Sequence, residues 1–331
     1  MTGRITITDV AQAAGVSVAT VSKAINGRDG VSRATLAHVM RVVDDLGYES
    51  SLVATSMRRS RTNVIGVLVA EFEPFALQLL RGVSDALRDT RYDVLSYAGT
   101  VSAGEHHGWE RRSLSRLGGT LIDGAILVTP TIAPDAPIPT VAVDPHVGTS
   151  RPATVSVQNV AGARAATEHL LTLGHRRIAH LRGRTDLESA QQREEGYRAA
   201  LDAAGIRYDP ALVADGGYRA AESTAGAHAL LDLADAPTAV FAANDVSAIE
   251  MMRVATERGL RAPDDLSVVG FDDIPEAASH APQLTTVRQP LLEMGAAAVR
   301  MLLAMLDGTE PDGVRMPTEL VVRASTAPPR G

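Results

Sequence analysis

The chain of 331 residues contains no cysteine, one tryptophan, only 3% aromatic residues and a single lysine, Lys23, beside many arginines. Each scarcity excludes something. Without thiols there are no disulfides, thiolate nucleophiles or cysteine-held metals, and a reducing bacterial cytoplasm is the expected compartment. No apolar run approaches the roughly 20 residues of a membrane span, and the N-terminus has no signal-peptide pattern. No G-x-G-x-x-G follows a strand, and P-loop, G-x-S-x-G and H-E-x-x-H patterns are missing, so a dinucleotide-dependent enzyme is only a remote alternative and no cofactor is expected. His106, His107 and Glu110 form a possible metal cluster, but they open a polar segment and are expected to be a solvated helix face.

What is present begins with residues 6 to 26, TITDVAQAAGVSVATVSKAIN, which read as two short helices joined by a tight turn. Thr6 with Asp9, and Ser17 with Thr20, put a hydroxyl ahead of each helix to satisfy first-turn N–H groups. Gly15 stands where the chain reverses. Val10, Ala14, Val21 and Ile25 supply the contacts between the helices. Val18, Ala19, Ser22, Lys23 and Asn26 face outward and suit base edges and phosphates. A third helix starts at Ser32, with apolar residues at 36, 39, 43 and 46 closing a three-helix core.

The net charge of -7 is unevenly divided: residues 1 to 61 carry +3 and the remainder -10. A basic head on an acidic body holds phosphates locally and keeps the body off DNA. Beyond residue 62, short apolar strands (NVIGVLVA from 63, YDVLSYA from 92, GAILVT from 124, PTVAV from 139, RIAHL from 177, TAVFA from 238, LSVVG from 266) alternate with amphipathic segments. This alternation predicts an α/β architecture of doubly wound parallel sheets in two lobes.

Ligands of such folds sit at the carboxyl ends of the strands. Asp144, Asn244, Asp245, Asp272 and Asp273 each end a predicted strand, and Arg193 lies near the start of a helix. Together they can bracket vicinal hydroxyls, with Phe75 or Tyr218 stacking on a ring face. The competing structural roles are turn or N-cap duty for the acids and amide, and a surface ion pair of Arg193 with Glu194 or Glu195.

The head segment, with HLLTLGHRRIAHLRG, AND at 243 to 245, LSVVGFDD and LTTVRQP in order, resembles the lactose and galactose repressor family (LacI/GalR) over nearly the whole chain. The resemblance implies a helix-turn-helix DNA-binding domain over 1–49, a hinge helix over 50–61, and a periplasmic-binding-protein-like effector and dimerisation domain over 62–331. Its N-lobe is expected at about 62–158 and 290–317, its C-lobe at about 159–289 and 318–327.

By that resemblance Thr6, Ser17, Val18, Ala19, Thr20, Ser22, Lys23, Asn26, Ser32, Thr35, Tyr48, Ala54, Met57 and Arg58 are the DNA-contacting positions. Met57 stands where the family places a wedging leucine, Ser50-Ser51 replaces the usual Pro-Asn, and Leu36 the usual Arg. The resemblance implies Phe75, Asp144, Ser189, Arg193, Tyr218, Asn244 and Asp272 as effector-binding residues. It implies a homodimer on a pseudo-palindromic operator, and the proline-rich stretch after Val322 has no heptads of a tetramer. The expected function is a sugar-released repressor of sugar-utilisation genes; control by a purine-like corepressor or a partner protein is the alternative.

Overall fold

The computed structural model describes residues 5–25, 29–48, 61–99, 108–132, 136–146 and 153–330. Asn26, Ala54, Met57, Arg58, all of the expected hinge helix over 50–61 except Arg61, His106 and His107 lie outside them. The chain divides into two compact units, Met1–Thr62 and Asn63–Gly331.

The first unit holds α1 (Ile7–Ala14), α2 (Val18–Ile25) and α3 (Arg33–Leu46). Val10, Val21 and Val39 are fully buried, and Ile25, Val42, Val43 and Leu46 pack against them. Leu36, expected in this core, is 37% exposed, because it sits in the first turn of α3 beyond the reach of the other helices. Gly15 and Gly47 end α1 and α3 in the left-handed conformation that costs a side chain with a Cβ.

The second unit contains two six-stranded sheets. One comprises β1 (Val64–Val69), β2 (Asp93–Ala98), β3 (Gly124–Val128), β4 (Thr140–Val143), β5 (Thr154–Val157) and β11 (Val314–Met316), in the spatial order β11-β5-β4-β3-β1-β2. The other comprises β6 (Ile178–Arg182), β7 (Val213–Asp215), β8 (Ala239–Ala242), β9 (Ser267–Asp272), β10 (Thr285–Arg288) and β12 (Glu319–Val321), in the order β12-β10-β9-β8-β6-β7. All pairings are parallel except β10 with β12, an antiparallel edge absent from the sequence expectation. The strands β1, β3, β8 and β9 are buried throughout, as continuous Val/Ile/Leu/Phe-rich runs require when helices cover both faces.

On the first sheet lie α4 (Pro74–Leu87), α5 (Trp109–Leu117) and α11 (Leu291–Leu306); on the second lie α6 (Asn159–Thr172), α7 (Glu188–Ala203), α8 (Ala220–Leu231), α9 (Asp245–Glu257) and the short α10 (Pro275–Ser279). Helix α11 reaches α4 through glycine: a Cβ on Gly82 would lie 2.1 Å from the Leu292 carbonyl oxygen, and one on Gly295 2.4 Å from that of Leu79. No larger residue fits either position without separating the helices.

Among the described residues the chain crosses between the sheets three times: from β5 to α6, from β10 to α11, and from β11 to β12. Gln158 on the first crossing donates its backbone N–H to the Met316 carbonyl on the third, at 3.0 Å.

Glu110 departs from expectation. It is fully buried rather than on a solvated face, because the Thr131 backbone N–H and hydroxyl both donate to its Oε1, the hydroxyl at 2.8 Å.

Candidate functional site

In the head, each helix start is held by a hydroxyl. Thr6 and Asp9 form a reciprocal capping box, Ser17 Oγ accepts the Thr20 N–H at 3.1 Å, and Ser32 Oγ accepts the Thr35 N–H at 3.1 Å. These hydroxyls therefore have a structural task at the very positions expected to meet DNA. Their residues Thr6, Ser17 and Ser32 are nonetheless exposed, whereas Thr20, Thr35 and Tyr48 are half-buried. Along α2, Val18, Ala19 and Lys23 are exposed and Ser22 half-buried, so one face presents a methyl-rich surface and an ammonium. Val18, 42% exposed, is a large apolar side chain left out of the core at the helix N-terminus, suited to a thymine methyl.

In the second unit, a cavity of about 720 Å³, its solvent-open mouth included, lies between the carboxyl ends of the two sheets. All seven residues expected at an effector site line it. Phe75 comes from the first turn of α4 and Asp144 from the end of β4; the other sheet's elements supply Ser189, Arg193, Tyr218, Asn244 and Asp272.

Arg193 is the hub. Only 3% exposed, it donates through Nε to Asn159 Oδ1 at 2.9 Å and through Nη1 to the Ala243 carbonyl, lies 3.6 Å from Asp272 Oδ1, and stacks 3.8 Å from the Phe271 ring centre. It makes no pair with Glu194, which binds Arg182 and Arg198 instead. Burying a guanidinium is tolerable only with this full set of partners.

Asp272, at φ 119°, occupies a backbone region that side chains avoid, where strain is characteristic of functional positions. Burial pushes its carboxyl up to about 7, although Arg193 and a 2.7 Å bond from Gln289 Nε2 favour the ionised form and Asp144 opposes it. Burial also raises Asp144, against the pull of Arg193. Asn244 is both an N-cap and a lining residue: Oδ1 accepts the Ser247 N–H at 2.9 Å, and Nδ2 donates to the Tyr218 carbonyl at 3.0 Å. Tyr218, at φ 70°, shares a 3.2 Å hydrogen bond with Ser189.

Asp245 and Asp273 do not line the cavity. Asp245 is fully buried and accepts from Thr286 and from the Ile274 N–H; Asp273 pairs with Arg288 and Arg323. Conversely, Glu73, Trp109, His146, Arg184 and Arg219 line the cavity without having been singled out. Burial and then Arg184 depress His146 to about 4, so it is neutral near pH 7. Across the mouth, Arg219 Nη2 lies 3.0 Å from Glu71 Oε1, and the Glu188 N–H donates to the His146 carbonyl at 3.1 Å. Among the described residues there is no metal-binding group of three or more His, Cys, Asp or Glu, and no helix long and apolar enough to cross a membrane.

Residues 6–51 match the family described as bacterial regulatory proteins, lacI family, and residues 167–326 match the periplasmic binding protein-like domain. The ribose operon repressor of Halalkalibacterium halodurans is 36% identical over 328 residues, covering 97% of each chain. The chain belongs to the LacI family. LacI-family proteins are DNA-binding transcriptional regulators and not enzymes, which removes the dinucleotide-enzyme alternative. A solved complex of the transcriptional regulator CelR with cellobiose is 35% identical, with TM-score 0.71 over 97% of this chain and 100% of that one. The Lac repressor dimer bound to operator is 27% identical, with TM-score 0.81 over 98% and 100%. The LacI-family head and two-lobed α/β core described above share that architecture.

Proposed function

We propose that this LacI-family regulator is a homodimeric repressor in the bacterial cytoplasm that reads a pseudo-palindromic operator with α2 and leaves it when a neutral sugar fills the cavity between the lobes. The observation that carries the reading is the convergence of seven residues, from six separate stretches of chain, on one cavity. Acceptors on Asp144 and Asp272 and donors on Arg193 suit a polyol, and the Phe75 and Tyr218 rings supply apolar faces.

The charge balance favours an unphosphorylated ligand. Each arginine lining the cavity already faces a carboxylate: Arg193 faces Asp272, Arg184 binds Asp186, and Arg219 binds Glu71 and Glu222. Glu73 and Asp144 add further acids and every lining arginine is already matched by a carboxylate, so a phosphate dianion gains little attraction here. The relatives named for ribose and cellobiose lend support from the same chemical class.

The test titrates the full-length protein with D-ribose and with cellobiose, reading the fluorescence of Trp109, which is the only tryptophan and lines the cavity. Parallel binding to duplexes from the gene's own upstream region is expected to weaken as sugar is added. On that DNA, Lys23→Ala is expected to cost about 1 to 3 kcal/mol and relax preference at one base pair per half-site. Absence of any sugar response, or an equal Lys23→Ala loss on every sequence, would overturn the respective assignment.

A further inference from the structure

Two of the three crossings between the lobes carry a buried amide side chain bonded to the residues that surround the cavity. On the first crossing Asn159, 3% exposed, accepts from Arg193 Nε at 2.9 Å, and its amide also favours the ionised form of the Asp144 carboxylate. On the second crossing Gln289, also 3% exposed, donates Nε2 to Asp272 Oδ1 at 2.7 Å and its backbone N–H to the Asp272 carbonyl at 3.2 Å. Neither side chain lines the main cavity. Pro290 follows Gln289 directly and α11 follows Pro290, so any movement of Gln289 is passed within two residues to a helix of the other lobe.

We propose that Asn159 and Gln289 are positioning residues that convert occupancy of the cavity into lobe movement. This rests on the sugar-responsive reading above and names its regulation. A hydroxyl that draws on Arg193, Asp144 or Asp272 competes for the atoms these amides hold. Asn159 and Gln289 must then re-aim, Asn159 as the first residue of α6 directly after the first crossing and Gln289 on the second. Gln289 Oε1 is buried and without a hydrogen-bond partner among the described residues, so rotation of this amide forfeits no bond at that atom. A site that only bound sugar would have no need to place both amides on crossings. Coupling through a discrete element that both sites bias is the physical requirement for allostery.

The variants are Asn159→Ala and Gln289→Met, the latter keeping volume while deleting the amide. With no native cysteine, a spin-label pair at Asp89→Cys and Asp202→Cys, exposed positions in different lobes, reads lobe separation in the ligand-free full-length protein diluted with unlabelled chains. Each variant is expected to shift or broaden that distance while still unfolding in one cooperative transition, at a lower temperature because a buried partner is lost. In the presence of D-ribose or cellobiose, the change in operator affinity is expected to shrink from about fivefold or more toward none, with sugar affinity altered less than the coupling. Unchanged distances in both folded variants, or an undiminished operator response, overturn the proposal. If one variant fails to fold, the other decides. If the parent binds neither sugar, the sugar-responsive reading fails, and unchanged ligand-free distances in both folded variants still overturn the positioning role of the two amides.

Discussion

The two walls of the cavity are built differently. The wall from the second sheet is fully wired: Arg193, Asp272, Asn244, Ser189 and Tyr218 each hold a partner within that lobe or at its crossings. The wall from the first sheet is left open. Trp109 Nε1 and His146 Nδ1, on residues lining the cavity, are buried without hydrogen-bond partners among the described residues, and so is Glu110 Oε2 behind them. An orphaned buried group costs about 1 to 3 kcal/mol. The contrast teaches that one wall is held by its own hydrogen bonds, while the other keeps buried polar atoms unengaged among the described residues.

The largest effect is expected where the wired wall is cut. Arg193→Ala removes the partner of a buried carboxylate, a class of change that costs about 3 to 5 kcal/mol. Asp272 can take up a proton, which places the loss toward the lower figure, read as denaturant midpoint together with abolished sugar binding. A normally stable Arg193→Ala protein would break the idea of a preorganised wall.

A smaller effect follows from Asp272 itself. Its folded-state carboxyl, at about 7, lies above the roughly 4 of an unfolded chain. Between those values the folded protein binds more protons, so stability without ligand falls as pH rises and levels off above about 7. Asp272→Asn is expected to flatten that slope in melting temperature between pH 5 and pH 8, to a first order. Sugar affinity in the parent is expected to run the other way, rising with pH as the carboxylate acceptor forms. A pH-independent melting temperature in the parent would sink this account.

The smallest effect is expected at the rim. Arg219 and Glu71 are 30% and 46% exposed, and such pairs contribute about 0 to 1 kcal/mol. Glu71→Ala is expected to leave melting nearly unchanged while speeding sugar release, measured by stopped-flow Trp109 fluorescence. Unaltered release would show that the open wall is not fastened at that point.

Legibility in the sequence followed the range of the interaction. The caps at Thr6 and Ser17 act over three residues, so spacing revealed them. The long buried strands announced themselves by composition, and Asp144, Asn244 and Asp272 by following such strands. What escaped notice depends on distant partners. Glu110 reads as polar surface until Thr131, twenty-one residues on, supplies its bonds. The short strands β5, β7, β10, β11 and β12, of three or four residues each, carry too few positions for a period. Asn159 and Gln289 had no local signature, since their meaning comes from Arg193 and Asp272, 34 and 17 residues away.

The interleaving of α11 with the first sheet has a practical outcome for anyone dissecting this regulator. A fragment stopping before residue 290 would lack α11 and β11, stripping the Gly82 seam of its cover and exposing Leu79, Val83 and Ile126 to water. Neither lobe can be cloned as a continuous stretch; a minimal sensor cut from this chain must retain everything from β1 to β12.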